Sequence, residues 1–473
     1  MARQSNRRRF LTAVGAGSIT LAAGCTDQLP GGNGENGDDE SEEPGTGSEA
    51  TPEGDNGDAI PPAISHGEVV SDFDEDLDEW FALDGELVPD EENALTGAQT
   101  ARIENSGATA GIARSFSDGL DIEGHHLSLA LRVDNPRPAR VTVRLLAPGQ
   151  ADQLWSTRTV LSPYEGWLRM DLGYSGQRGE PFLDDIQEMQ ITLDDPNADV
   201  EDGEEEQLGE TGDEDGDEEE APEDEENNVE EDEEGGDSEI VFWVDDMRIT
   251  PQASQGYVML TFDDNVLSQY ENVFSMFAER DMQGVLCVIP PTLNRPERLD
   301  IDHLREMRDA GWDISAQAER SDGLAEMSPE DAREALESDH EYLVNRGFPD
   351  GARFHTVPYH NVNQEVVDIA RDYYEMNSYF GGTTNAVSFT DPMHLSRVDM
   401  YDLDGFTSMI DVAAEYNQLV IGLAHGVVPE DEIDDDPLAD MTIEQLEELL
   451  DYIEESDVQL VTSSNLIDNQ DDL

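Results

Sequence analysis

Lysine is absent from this chain of 473 residues, so all 25 of its basic residues are arginines, set against 112 aspartates and glutamates for a net charge of -87. So little positive charge excludes the basic face that nucleic-acid binding requires. Self-repulsion on this scale usually means disorder. At molar salt, however, the Debye length falls to about 3 Å and surface carboxylates hardly feel one another, so the composition suits a chain that works in extreme salt. Cysteine is nearly missing as well. Of Cys25 and Cys287, the first closes a leader-like segment and the second lies in the apolar run GVLCVIP. No intramolecular disulfide is therefore expected, and Cys287 reads as a small buried hydrophobe. The apolar run from Ala13 to Ala23 falls short of the roughly 20 residues of a membrane span.

What that run does have is context. Arg7, Arg8 and Arg9 precede it and LAAGC ends it, which resembles a twin-arginine export signal of a salt-loving organism joined to a lipoprotein box over 1-25. The resemblance implies export of the folded chain and lipidation at Cys25, hence a membrane anchor on the outer face of the cytoplasmic membrane. Residues 26-65 are rich in Gly, Asp, Glu, Pro, Ser and Thr and read as a disordered acidic tether. Residues 198-238 form a second acidic stretch without the ligand spacing of a calcium-binding EF-hand loop and read as a disordered insert.

Between and after these blocks come short alternating runs, HHLSLALRVD, ARVTVRLLAP, GWLRMDLG, MQITLDD and EIVFWVDDMRIT. Their period of two, broken by turn residues, predicts an all-β sandwich over 66-252. The opening VSDFDEDLDEWFALDGE, the central GWLRMDL and the closing FWVDDMRI resemble galactose-binding-like jelly rolls that serve as carbohydrate-binding modules. A sugar-binding role would use exposed aromatics, with Trp155 and Trp167 as candidates, although tryptophans equally fill cores.

From 256 onward strands alternate with helices. VMLTF, GVLCVIP, WDISAQ, RFHTVPY, MHLSRVDM and QLVIGLAHG read as strands. Helix signals between them include Ser328 with Pro329, the stop at Gly311, and the capping box of Thr442 and Gln445. Repeated βα units predict a parallel sheet, open or closed, with function at the strands' carboxyl ends. There stand Asp263 and Asp264, which fit either a helix-capping turn or a metal ligand beside a proton-handling carboxylate.

The order of LTFDDN, GWDISAQAERSDGL, FHTVPYHNVNQEV and LVIGLAHG over about 256-468 resembles the polysaccharide deacetylases, the NodB-homology carbohydrate esterases. The resemblance implies an α/β distorted (β/α) barrel of fewer than eight strands. It implies hydrolysis of acetyl groups, amide or ester, on a cell-surface or extracellular polysaccharide or oligosaccharide with a divalent metal, zinc or a harder ion such as manganese, cobalt or magnesium. Carried over, Asp263 is the base, His425 the acid and Asp264 a metal ligand, while Pro358 and Tyr359 contribute to substrate binding.

The second motif departs from the family. Gln317 and Ser321 stand where its two metal-binding histidines belong, and an amide or hydroxyl holds zinc far more weakly than imidazole. Thr356 and Val357 replace the arginine and proline of the third motif, so the arginine that orients the base is missing from its place. Two readings follow: a rearranged site drawing ligands from Glu319, Asp322, His355 or His360, or a carbohydrate-binding pseudoenzyme. If no metal is held, neutralising either of two adjacent, mutually repelling carboxylates should be neutral or stabilising.

Overall fold

The computed structural model describes residues 67-134, 138-149, 151-160, 164-195, 240-318, 323-433, 436 and 438-469. Cys25, Glu319, Ser321 and Asp322, the tether and the acidic insert lie outside the described residues. The first half is β-rich and antiparallel. One sheet runs, in spatial order, Glu86–Asp90, Thr100–Asn105, Ile240–Pro251, His125–Val133 and Gly166–Asp171, with Glu68–Ser71 also paired to Ile240–Pro251. The other runs Gly176–Arg178, Gln153–Val160, Ala139–Leu146, Ile186–Asp194, Thr109–Leu120 and Trp80–Asp84. Alternation sets their faces: in Ala139–Leu146 the residues Ala139, Val141, Val143 and Leu145 are buried while Arg140 is exposed. Leu129, Leu131 and Phe242 of one sheet share a core cluster with Val143, Leu154 and Ile191 of the other.

The second half is a parallel barrel. Gly256–Phe262, buried along its whole length, pairs with Val285–Val288, and pairing continues through Asp313–Ala316, Phe354–Thr356, Met376–Phe380, Leu395–Asp399 and Leu419–Ala424 back to Gly256–Phe262. Seven strands thus close a ring, and Val458–Leu460 pairs with the first three residues of Gly256–Phe262. The expected caps are present: Ser328 accepts from the Asp331 N–H at the start of Pro329–Arg346, and Thr442 and Gln445 form a capping box on Ile443–Glu455. Gly311 adopts φ 97° just past Ile301–Asp309, a conformation suited to glycine.

One crossover differs from the rest. An α-helix lies between every other pair of consecutive ring strands, but the chain from Phe380 to Leu395 has only the 3-10 turn Pro392–His394. The β-rich half takes that helix's place. Asp171 accepts from the Thr390 N–H (2.8 Å), the Thr390 hydroxyl (2.6 Å) and the Asp391 N–H (3.1 Å). The Thr159 N–H donates to the Gly381 carbonyl (3.0 Å), and the Thr384 hydroxyl to the Tyr174 carbonyl (2.7 Å). All these residues belong to one compact unit.

Candidate active site at the barrel mouth

Asp263 and Asp264 leave the carboxyl end of Gly256–Phe262, and the turn that follows is tight. Asp264 and Asn265 both take positive φ, 73° and 44°, a conformation non-glycine residues adopt at a cost. Buried Asn265 offsets that cost by accepting from the Ile289 N–H at 2.9 Å. The next turn is a π-helix, Gln269–Phe274. Its Gln269 amide donates to the carbonyls of Asp263 (2.6 Å) and His425 (2.9 Å), tying the two strand ends together.

Three ion pairs converge here. Arg397, fully buried on Leu395–Asp399, makes a two-pronged contact with Asp263 at 2.8 and 2.9 Å. Burial alone would push the Asp263 carboxyl up, but the guanidinium outweighs it and holds the group below its ordinary range. Asp263 thus has an arginine partner that comes from a strand other than the one carrying the third motif. His425, directly after Leu419–Ala424, places Nδ1 2.6 Å from Asp440. Asp440 arrives there because Gly426–Val428 pairs with Ala439–Thr442. Burial opposes the charge on His425, yet the Asp440 bond and the charges of Asp263, Asp440 and Asp264 raise it to about 9. The third pair is Asp264 with Arg298, at 3.7 Å. Burial and then the charge of Asp263 raise the Asp264 carboxyl above its ordinary value.

Gln317, at the end of Asp313–Ala316, is spent on Asp264. Its Nε2 donates to Asp264 Oδ1 (3.1 Å), and its Oε1 accepts from the Asp264 N–H (3.2 Å). The proposed substitute ligands that are described, His355 and His360, also carry hydrogen bonds. His355 is buried, with Nδ1 2.8 Å from Asn377 Oδ1 and Nε2 accepting from the Ala318 N–H at 3.3 Å. His360 accepts from the Phe380 N–H at 3.0 Å. Burial holds both imidazoles at about 4, so they are neutral. Among the described residues no group of three or more His, Cys, Asp or Glu is arranged to hold a metal. The described donors therefore do not by themselves fit the divalent ion that the sequence pattern implies.

Pro358 is buried, whereas Tyr359 beside it is 66% exposed with φ 53°. Tyr401, 48% exposed, donates to Asp399 at 2.9 Å just past Leu395–Asp399. Sequence reasoning missed Arg298, Arg397, Asp440 and Tyr401. Arg397 alone left a trace, as the arginine inside the predicted strand MHLSRVDM.

Residues 250–374 match the family model for polysaccharide deacetylase. Among curated proteins none matches the chain. Three solved structures illustrate its similarities. The Xyl-CE4 domain of a multidomain xylanase from the hindgut metagenome of Trinervitermes trinervoides is 14% identical over 46% of this chain and 92% of that one, TM-score 0.34. The chitin deacetylase of the fungal pathogen Colletotrichum lindemuthianum is 16% identical over 46% and 89%, TM-score 0.33. A CE4 family pseudoenzyme from Bacillus anthracis is 13% identical over 44% and 64%, TM-score 0.30.

Proposed function

We propose, from the polysaccharide deacetylase domain that the family match assigns to residues 250–374, that this chain binds a polysaccharide or oligosaccharide at the barrel mouth and has given up metal-dependent deacetylation. The observation that carries this reading is the two-point bond between Gln317 and Asp264. Gln317 is held against Asp264 by both ends of its amide, its nitrogen on carboxylate oxygen Oδ1 and its oxygen on the Asp264 N–H, and an amide oxygen so placed is a far weaker zinc ligand than the imidazole the family pattern puts there. The rest of the mouth suits sugar. Tyr359 and Tyr401 present exposed rings of the amphipathic kind that stack on sugar faces. His425, an imidazolium to about pH 9, offers its ring nitrogen away from Asp440 to a hydroxyl or acetyl oxygen.

A second reading, acetyl hydrolysis, is favoured by one observation: the base position and the acid position both keep their partners, Arg397 and Asp440. Calorimetric titration of the intact protein in molar salt with acetylated chitin, xylan and peptidoglycan-like fragments separates the two, run beside an acetate assay. Binding without acetate release is the expected result. Acetate release that a chelator abolishes would overturn it.

The setting proposed for this activity is the cell surface, with Cys25 lipidated and the β-rich half acting as a jelly-roll carbohydrate-binding module. The leader and the strand pattern support it. Cys25→Ser should move the protein from the membrane to the soluble fraction.

A further inference from the structure

The site carries an arginine whose placement is built rather than incidental. The segment bearing Arg298 is stapled to the aspartate turn through its backbone: Val266 and Arg298 form an antiparallel bridge, the Leu267 N–H donates to the Glu297 carbonyl (2.9 Å), and the Leu299 N–H to the Asn265 carbonyl (2.9 Å). Asn294 and Glu297, either side of Pro296, take positive φ of 62° and 61° to make the turn. Arg298 Nη1 thus meets Asp264 twice, donating to its backbone carbonyl and lying 3.7 Å from Oδ2. Gln317 holds Oδ1. One carboxylate oxygen is taken by an amide and the other faces a guanidinium.

We infer that Arg298 is an internal cation that neutralises Asp264 in place of a metal ion, so that the missing histidines are only half of what separates this site from a metal centre. The inference rests on the metal-free reading of the mouth given above. Its consequence is specific. A divalent ion brought to Asp264 Oδ2 would sit beside a fixed positive charge in a partly buried site, where like charges are poorly screened. Returning histidines at 317 and 321 would therefore not be enough, because Arg298 would still repel the ion and compete for its ligand.

The test compares zinc binding by calorimetry in molar salt for four forms of the full chain: wild type, Gln317→His/Ser321→His, the same pair with Arg298→Met, and the pair with Arg298→Lys. The form with Arg298→Met should bind one zinc per chain about 10- to 100-fold more tightly than the pair alone, the range that groups contacting a metal ligand command. Arg298→Lys keeps the charge and should behave like the pair alone. Circular dichroism and melting temperature check that each form is folded, and Arg298→Met on its own serves as the folded control for the loss of the guanidinium. Equal zinc affinity with and without Arg298, or no zinc binding by any form, would overturn the inference and leave the glycan-binding reading standing. Tight zinc binding by the wild type would overturn both.

Discussion

At the residue scale, Asp263 and Arg397 invert an expectation from the sequence. Two adjacent carboxylates repel, so removing one charge looks harmless if no metal is held. The structure gives each its own cation, and Asp263 is buried with an arginine that is buried completely. Breaking such a pair from one side leaves an uncompensated buried charge, which costs about 3-5 kcal/mol. Arg397→Met and Asp263→Asn should each lower unfolding free energy by that amount in denaturant titrations, and Asp264→Asn, partly exposed, by clearly less. Equal small effects at both aspartates would show that Arg397 does not stabilise Asp263. His425 makes a prediction in pH. Its value in the fold, about 9, lies above the ordinary value of about 6.5, so the pairing with Asp440 contributes stability that is fully present below about pH 6.5 and fades as pH rises through 9. The melting-temperature gap between wild type and Asp440→Asn should therefore be widest at about pH 6 to 6.5, narrow as pH rises through 9 and close toward pH 10. A gap that stays constant would mean that the pair is not ionic.

At the scale of elements, much of the barrel was readable. Strand-helix alternation, the Ser328–Pro329 cap, the stop at Gly311 and the Thr442–Gln445 box are local patterns, and local patterns survive translation into structure. Ring closure is not local. Arg397 reaches Asp263 across 134 positions of sequence only because Leu395–Asp399 and Gly256–Phe262 are one strand apart in the closed sheet, and nothing near either residue announces it. Asp440 is hidden for a similar reason, since it depends on a short parallel pairing after His425. The β-rich half was legible as alternating strands. Its candidate sugar platform was not: Trp167 is 7% exposed, packed with Ala130 and Trp243, and Trp155 is half-buried against Gly176. The helix-free crossover from Phe380 to Leu395 was equally invisible, because its partner lies outside the barrel. That contact is testable. Asp171→Ala would leave the buried Thr390 and Asp391 N–H groups without their acceptor, at about 1-3 kcal/mol for each stranded donor. Calorimetry should show a lower melting temperature for the barrel and the β-rich half together. A variant in which one half melts early while the other keeps its wild-type temperature would show that Asp171 serves only its own sheet.

For the whole molecule, the governing quantity is charge, 112 acidic residues against 25 arginines. Among the described residues several arginines are committed to ion pairs: Arg169 with Asp246, Arg371 with Asp391, Arg353 with Glu375 and Asp468, Arg114 with Asp76. With 112 carboxylates to 25 arginines, most carboxylates have no arginine of the chain to pair with. Dissolved salt must supply the screening. At 0.01 M the Debye length is about 30 Å, comparable to a domain, and every surface charge feels the others; at 1 M it is about 3 Å and only touching groups interact. Unfolding separates the charges, so repulsion weighs on the folded state more than on the unfolded one. Melting temperature should climb steeply from 0.01 M to about 1 M sodium chloride and then flatten, since further salt has little long-range repulsion left to remove. Within that rise the buried pairs should behave differently from the surface. Arg397→Met should cost nearly the same at every salt concentration, because a pair that solvent does not reach is screened little. Arg305→Met, breaking the exposed bridge to Asp302, should cost little anywhere and least at high salt. A melting curve indifferent to salt between those limits would mean that the surface carboxylates are neutralised by something other than dissolved ions.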